Sequence, residues 1–145
     1  PSNMLVFGDT VKLADFGLAI PMGQTRSQRL PKGTPQFAAA EIFQGWMTDQ
    51  SDQYSLAISY CLLRGGRVPF IDSPRSFQIP YTRPAPELTM LSEPERPIIS
   101  RALSPSPISR WPTCRAMMAA LMDLYRSPAP ALPHAERLAL SRLPH

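Results

Sequence analysis

Two oxygen-bearing side chains near the start of the sequence, Asn3 and Asp15, are candidates for holding a divalent cation. Fully extended, the chain between them would span roughly 40 Å. A hairpin would instead bring one amide oxygen and one carboxylate to a common point. Mg²⁺ prefers oxygen ligands with room left for water and phosphate. Taken alone, the pair is also compatible with a turn asparagine and a loop aspartate.

The hairpin that would position this pair is predicted by two short β-prone runs, residues 4–7 and 10–13, on either side of Gly8-Asp9. Pairing Phe7 with Thr10 places Asn3 opposite Ala14, beside Asp15. Residues 15–37 then lack periodicity and predict a long loop. A loop of this length in a compact domain is usually functional.

Helices are predicted for several segments of the remaining chain. Ser51 is the expected N-cap of a helix that is apolar nearly all round, a pattern typical of a buried helix. Gly65-Gly66 should end it. Prolines interrupt residues 67–92, which we leave unassigned. Three further helical segments are predicted, at residues 38–43, 93–103 and 113–125.

The composition excludes several classes of protein. The chain has 145 residues, of which 43% are hydrophobic and 18% charged, so it is not a disordered polyelectrolyte. Its formal net charge of +4 is a mild excess, and no basic run interleaved with aromatics supports nucleic-acid binding. The longest apolar stretch, residues 116–122, is far shorter than the ~18 residues that suggest a membrane span.

The cysteines and histidines show no metal-ligand spacing. Cys61 and Cys114 lie in apolar helical patterns, which favours buried free thiols in a reducing compartment and therefore a cytoplasmic location. A longer parent protein that is tethered to a membrane remains compatible with the sequence.

Several segments, in the same order along the chain, resemble the motifs of serine/threonine protein kinases. Pro1-Ser2-Asn3 resembles the end of the catalytic loop, and Asp15-Phe16-Gly17 within residues 11–19 resembles the metal-binding segment. The other matches are to the end of the activation segment, the start of the central helix, the loop after that helix and the last conserved element. They lie at residues 33–41, 51–57, 64–70 and 102–105 with 110–114.

The resemblance implies a fold and a domain organisation. Residues 1–125 would be the carboxy-terminal lobe (C-lobe) part of a kinase domain, mainly α within an α+β parent. This part would contain a short β-hairpin, a long activation loop and a buried central helix. Residues 126–145 would be a proline-rich tail or linker.

The same resemblance implies roles at the nucleotide. Asn3 and Asp15 would hold the Mg²⁺ ions that bridge the phosphates of ATP. Phe16 would pack under the active site and help to set its active or inactive state, and Gly17 would let the chain turn. Thr34 would contact the catalytic loop, and residues 33–37 would shape the pocket for the substrate residue after the target Ser or Thr.

Three further residues would have structural roles. Glu41 and Arg110 would form a buried ion pair, and Asp52 would anchor the backbone of the catalytic loop from the start of the central helix. Glu41 and Arg110 are each also compatible with a solvated surface charge, and Asp52 with a carboxylate that interacts with the helix dipole.

Thr25 and Ser27 are candidate phosphorylation sites because Arg26 and Arg29 lie beside them and could pair with a phosphate. An ordinary polar loop accounts for the same residues. We favour the ordinary loop.

The chain also departs from the family pattern. Ala40 stands where the family usually has proline, and Ala57 stands where glycine is common. Residues 71–92 look short and proline-rich for the helix that the family places there. The 145 residues contain no His-Arg-Asp triplet, no glycine-rich phosphate loop and no lysine on a preceding strand that would pair with a helix glutamate. The amino-terminal lobe (N-lobe) is therefore expected to be missing.

Three hypotheses follow from these observations. The first is an incomplete copy of an active kinase that uses ATP and Mg²⁺ on protein substrates and is inactive as 145 residues alone. The second is a pseudokinase or scaffold lobe that binds partners without catalysis. The third is an unrelated α-helical binding module with chance matches, which a fold lacking the hairpin and the buried helix would favour.

Overall fold

The computed structural model describes residues 2–17, 19, 33–72, 76–77 and 82–126, together with the backbone of residues 26–27. Its strands are β1 (Met4–Phe7), β2 (Thr10–Leu13), β3 (Arg26–Ser27) and β4 (Trp46–Met47). Its helices are α1 (Ala40–Phe43), α2 (Ser51–Gly65), α3 (Glu95–Ala102) and α4 (Cys114–Arg126), with 3₁₀ turns at Pro35–Phe37 and Pro107–Ser109. The described part is therefore mainly helical with little strand, as expected.

The predicted hairpin is confirmed, including its register. Strands β1 and β2 are antiparallel, and Phe7 pairs with Thr10 while Met4 pairs with Leu13. Gly8 adopts φ 56° at the turn, a left-handed conformation that glycine enters without the steric cost of a Cβ atom. The β-prone runs and the turn residues were sufficient to predict the pairing because both are local features.

The prediction of one uninterrupted loop over residues 15–37 was wrong in part. Strand β3 pairs antiparallel with β4, with Arg26 opposite Met47 and Ser27 opposite Trp46. A 3₁₀ turn occupies Pro35–Phe37. A ladder of two residues is too short to produce an alternating pattern, so no periodicity marks it in the sequence.

The start of α2 differs from the prediction, whereas its end agrees with it. The residue that precedes the helix is Gln50, not Ser51, and no side chain caps it. The Ser51 hydroxyl is used elsewhere, because it accepts from the Thr48 amide at 2.9 Å and donates to Glu41 Oε1 at 2.8 Å. At the other end Gly66 has φ 75° and its amide bonds the Leu62 carbonyl at 3.0 Å.

Helix α2 lies at the centre of the core, as predicted. It is not buried on every side, however. It contacts α3 and α4, which also contact each other. Tyr54, Ala57, Ile58 and Cys61 are buried on α2, but Leu63 is 67% exposed. The other buried apolar residues come from α1, α3, α4 and the connecting loops: Ala38, Ala39, Ile42, Phe43, Phe70, Leu91, Ile99, Ala102, Leu103, Met117 and Leu121.

A buried carboxylate links α2, α3 and α4. Glu95 is only 1% exposed. Its Oε1 accepts from the Tyr60 hydroxyl, from Tyr125 at 2.5 Å and from Arg64 Nε at 3.2 Å. Its Oε2 accepts from the amide and hydroxyl of Ser92 at 2.8 and 2.6 Å. Burial alone would raise the pKa of Glu95, but these hydrogen bonds lower it to about 2.

The lowered pKa of Glu95 predicts that the fold loses stability in acid. The folded pKa lies below the ordinary 4.5, so the stabilisation is present above pH 4.5 and is lost as pH falls toward 2. We expect the stability gap between the native chain and Glu95→Gln, measured by urea unfolding, to narrow as pH falls from about 5 to 3. Parallel pH profiles for the two proteins would contradict this assignment.

Gly65 lies where α2 passes very close to Met90. A Cβ atom at Gly65 would lie 2.8 Å from Met90 Cβ and would overlap its Cγ, so any side chain must displace Met90. We expect Gly65→Ala to lower the free energy of unfolding by about 1–3 kcal/mol because it overpacks this contact. The cost should be smaller in a Met90→Ala background. An equal cost in both backgrounds would contradict the proposed overlap.

Candidate functional site

The two candidate metal ligands lie together at the open end of the hairpin. The Ala14 amide donates to the Asn3 carbonyl oxygen at 2.9 Å, which extends the β1–β2 ladder by one step. Asn3 therefore sits opposite Ala14 and next to Asp15, as the register predicted. Both residues are exposed, so their side-chain oxygens are accessible to a ligand.

The chain leaves β2 through a tight change of direction at Asp15. Asp15 has φ 62°, an uncommon conformation for a residue other than glycine, although aspartate tolerates it better than most. Its Oδ1 accepts a long hydrogen bond of 3.3 Å from the Gly17 amide. A Cβ atom at Gly17 would lie 3.3 Å from the same oxygen, so glycine keeps this approach open.

Phe16 is not packed in the way that the resemblance implied. Its side chain is 69% exposed. Strands β1 and β2 likewise expose Leu5, Val6, Phe7, Val11 and Leu13. Within the described residues the apolar surface of the hairpin thus faces solvent, and the role of Phe16 under an active site stays a prediction.

The donor set at the hairpin end fits Mg²⁺. One amide oxygen and one carboxylate leave most of the coordination sphere to waters and phosphate oxygens, which is how Mg²⁺ is usually bound at nucleotide sites. The described residues include no cluster of three or more His, Cys, Asp or Glu side chains that would hold a metal without such help. The fit is therefore to a cation that arrives with a phosphate ligand.

The segment of residues 33–38 forms a second part of the candidate site. Gly33 has φ 106°, and the Thr34 carbonyl accepts from the Phe37 amide at 3.0 Å to begin the 3₁₀ turn. Thr34 itself is exposed and its side chain does not cap the turn. Ser55 of α2 donates to the Phe37 carbonyl at 2.9 Å. The contact of Thr34 with a catalytic loop stays a prediction.

The ion pair that the resemblance implied between Glu41 and Arg110 is present and buried. Arg110 Nη1 bonds Glu41 Oε1 and Nη2 bonds Oε2, both at 2.8 Å. The same guanidinium donates to the carbonyls of Gln50, Ser104 and Pro105 at 3.0, 2.9 and 3.4 Å. Burial alone would raise the pKa of Glu41, but Arg110 and Ser51 hold it below its usual value.

The other predicted site residues are placed less specifically. Asp52 lies exposed in the first turn of α2, a favourable position for a carboxylate at a helix start. Its contact with a catalytic loop stays a prediction. Ser27 lies in β3, whereas Thr25 lies outside the described residues. The role of both as phosphorylation sites stays a prediction.

Arg83 is the residue that sequence reasoning missed. It is 8% exposed and its guanidinium donates to the backbone of residues 35–38. Arg83 lies in a proline-rich stretch with no helical or alternating pattern. Its role depends on long-range contacts, which no local pattern in the sequence indicates.

Comparison with known proteins identifies the family. The model of the protein kinase domain matches residues 1–122, so the chain belongs to this family. It is 32% identical over 126 residues to CBL-interacting protein kinase 4 of Oryza sativa, an alignment covering 76% of this chain and 26% of that protein. It is 29% identical to serine/threonine-protein kinase PknB of Mycolicibacterium smegmatis, covering 99% of this chain and 26% of that protein.

A solved structure gives the same assignment. The kinase domain of PknI from M. tuberculosis superposes with a TM-score of 0.62 at 26% identity, covering 88% of this chain and 45% of that chain. The chain thus spans about a quarter of the length of the two curated relatives above. Among the described helices, none is long and apolar enough to cross a membrane.

The buried ion pair predicts a large asymmetry between two glutamate substitutions. Glu41→Gln leaves the charge of Arg110 buried without its carboxylate, so we expect the free energy of unfolding to fall by about 3–5 kcal/mol. Glu87→Gln breaks an exposed pair with Arg67 and should lower the free energy of unfolding far less, because solvent screens such pairs. Denaturant unfolding measures both, and similar costs for the two variants would contradict the structural role of Glu41.

Proposed function

We propose that this chain is the C-lobe part of a serine/threonine protein kinase, which transfers the γ-phosphate of ATP to Ser or Thr of protein substrates. The observation that carries the proposal is the juxtaposition of Asn3 and Asp15 at one end of the hairpin, in a chain of the kinase family. The serine/threonine class rests on relatives such as PknB.

The proposed chemistry divides between the two parts of the site. Asn3 and Asp15 supply oxygen ligands, and Mg²⁺ bound there would offset the negative charge of the phosphates during transfer. The segment of residues 33–37 receives the substrate chain beside the target hydroxyl. Glu41 and Arg110 do not touch the reactants, but they fix the position of the helix that follows this segment.

The 145 residues alone are proposed to be inactive. In-line transfer needs a base for the substrate hydroxyl and an ATP molecule held in position. The sequence contains neither the His-Arg-Asp triplet nor a glycine-rich phosphate loop. Activity is therefore a property of the full-length protein in which these residues occur, with a cytoplasmic location as the simplest setting.

The metal-ligand role predicts a specific loss of activity in that full-length protein. Asp15→Asn removes the carboxylate and should lower phosphate transfer by about 100-fold or more, because charge stabilisation by a metal is worth several kcal/mol. Asp9→Asn is the matched control, since it removes the same charge from the turn at the opposite end of the hairpin. It should stay within about twofold of the native protein.

The measurement is transfer of labelled γ-phosphate to a protein substrate. Equal activity of the Asp15 and Asp9 variants would remove Asp15 from the site. A native full-length protein that folds but transfers no phosphate would favour the pseudokinase or scaffold alternative. The same assay on residues 1–145 should give no transfer, and measurable transfer there would overturn the proposed inactivity.

A further inference from the structure

Arg83 makes an unusual set of contacts for a buried cation. Its Nη2 donates to the carbonyls of Pro35, Gln36 and Ala38 at 2.7, 3.0 and 2.6 Å, and its Nε donates to Ala38 at 3.1 Å. These three acceptors lie within one four-residue segment. A planar guanidinium can join several acceptors at fixed angles, whereas an ammonium group acts as a point charge.

Three aromatic rings hold this guanidinium in place. Its central carbon lies 4.7 Å from the ring centroid of Phe70, 5.5 Å from Phe43 and 5.8 Å from Tyr54. Such rings attract a cation through their π faces, and they restrict where the side chain can move. Since Tyr54 and Phe43 belong to α2 and α1, Arg83 fixes residues 35–38 relative to the helical core.

The location of Arg83 gives these contacts a functional meaning. Residues 82–88 contain no helix in the structure, in a stretch that looks short and proline-rich for the helix that the family places there. Arg83 belongs to this stretch, and its side chain holds the segment proposed to receive the substrate. The Ser55 hydroxyl holds the remaining carbonyl of the segment, that of Phe37.

We propose that Arg83 is a positioning residue that fixes the backbone of residues 35–38 and thereby sets the affinity of the kinase for its protein substrate. The inference has two parts. That Arg83 fixes the backbone of residues 35–38, which we call the clamp, rests on the contacts alone. That it sets the affinity for the protein substrate rests on the proposed function. Arg83 does not reach the metal-binding end of the hairpin through any of these contacts, so it should act on the protein substrate and not on ATP.

The clamp is tested by hydrogen–deuterium exchange on the 145-residue chain. Arg83→Lys keeps the charge but loses the fork, so the amides of Phe37 and Ala38 should exchange at least about tenfold faster. Amides in the middle of α4 should be unchanged. Arg67→Lys is the matched control. Arg67 is also a bidentate arginine, but it bonds Glu87 and Thr89 and not the segment of residues 35–38. Unchanged exchange at Phe37 and Ala38 would overturn the clamp.

The substrate part is tested by steady-state kinetics of the full-length protein. Arg83→Lys should raise the KM for a substrate peptide by about tenfold while the KM for ATP stays unchanged. A purely structural role would lower kcat or the melting temperature without this separation. Equal effects on both KM values, or none, would overturn the inference. If the native protein transfers no phosphate, the proposed function and this substrate part both fail, while hydrogen exchange still decides the clamp.

Discussion

Glu41 and Arg110 are 69 positions apart in the sequence, yet they form a buried bidentate pair. A buried charge is tolerated only when its partner and hydrogen bonds replace the lost water. The Arg110 guanidinium also donates to the carbonyls of Gln50, Ser104 and Pro105, and the Ser51 hydroxyl donates to Glu41. These groups form a hydrogen-bonding shell around the pair. This shell joins α1, the start of α2 and the loop before α4 into one unit.

Other long-range polar contacts extend the same principle. Gln53 exchanges two hydrogen bonds with the backbone of Trp111, at 2.8 and 3.0 Å. Glu95 joins α2, α3 and α4, while Arg83 ties residues 35–38 to the aromatic side of the core. The chain contains 18 prolines, which shorten helices and remove backbone donors. Buried side-chain donors and acceptors therefore supply much of the connection between its elements.

Local features of the sequence were enough to predict part of this structure. The hairpin register, the left-handed Gly66 at the end of α2 and the approximate extents of α3 and α4 all depend on neighbouring residues. The prediction that Ser51 caps α2 was wrong, because the Ser51 hydroxyl bonds Glu41 instead. The β3–β4 ladder and the role of Arg83 depend on distant contacts, and only the family resemblance indicated the partners Glu41 and Arg110.

The central claim is that the end of the hairpin is the metal site of a kinase, and paramagnetic Mn²⁺ tests it most directly. Titrated as its ATP complex into the isotopically labelled 145-residue chain, Mn²⁺ should broaden the amide signals of residues 2–4 and 14–17 together. It should do so before it affects those near Asp9, Asp49 or Asp123. The Asp15→Asn variant should lose this selective broadening. Broadening that starts at the other aspartates, or that is unchanged in Asp15→Asn, would contradict the account.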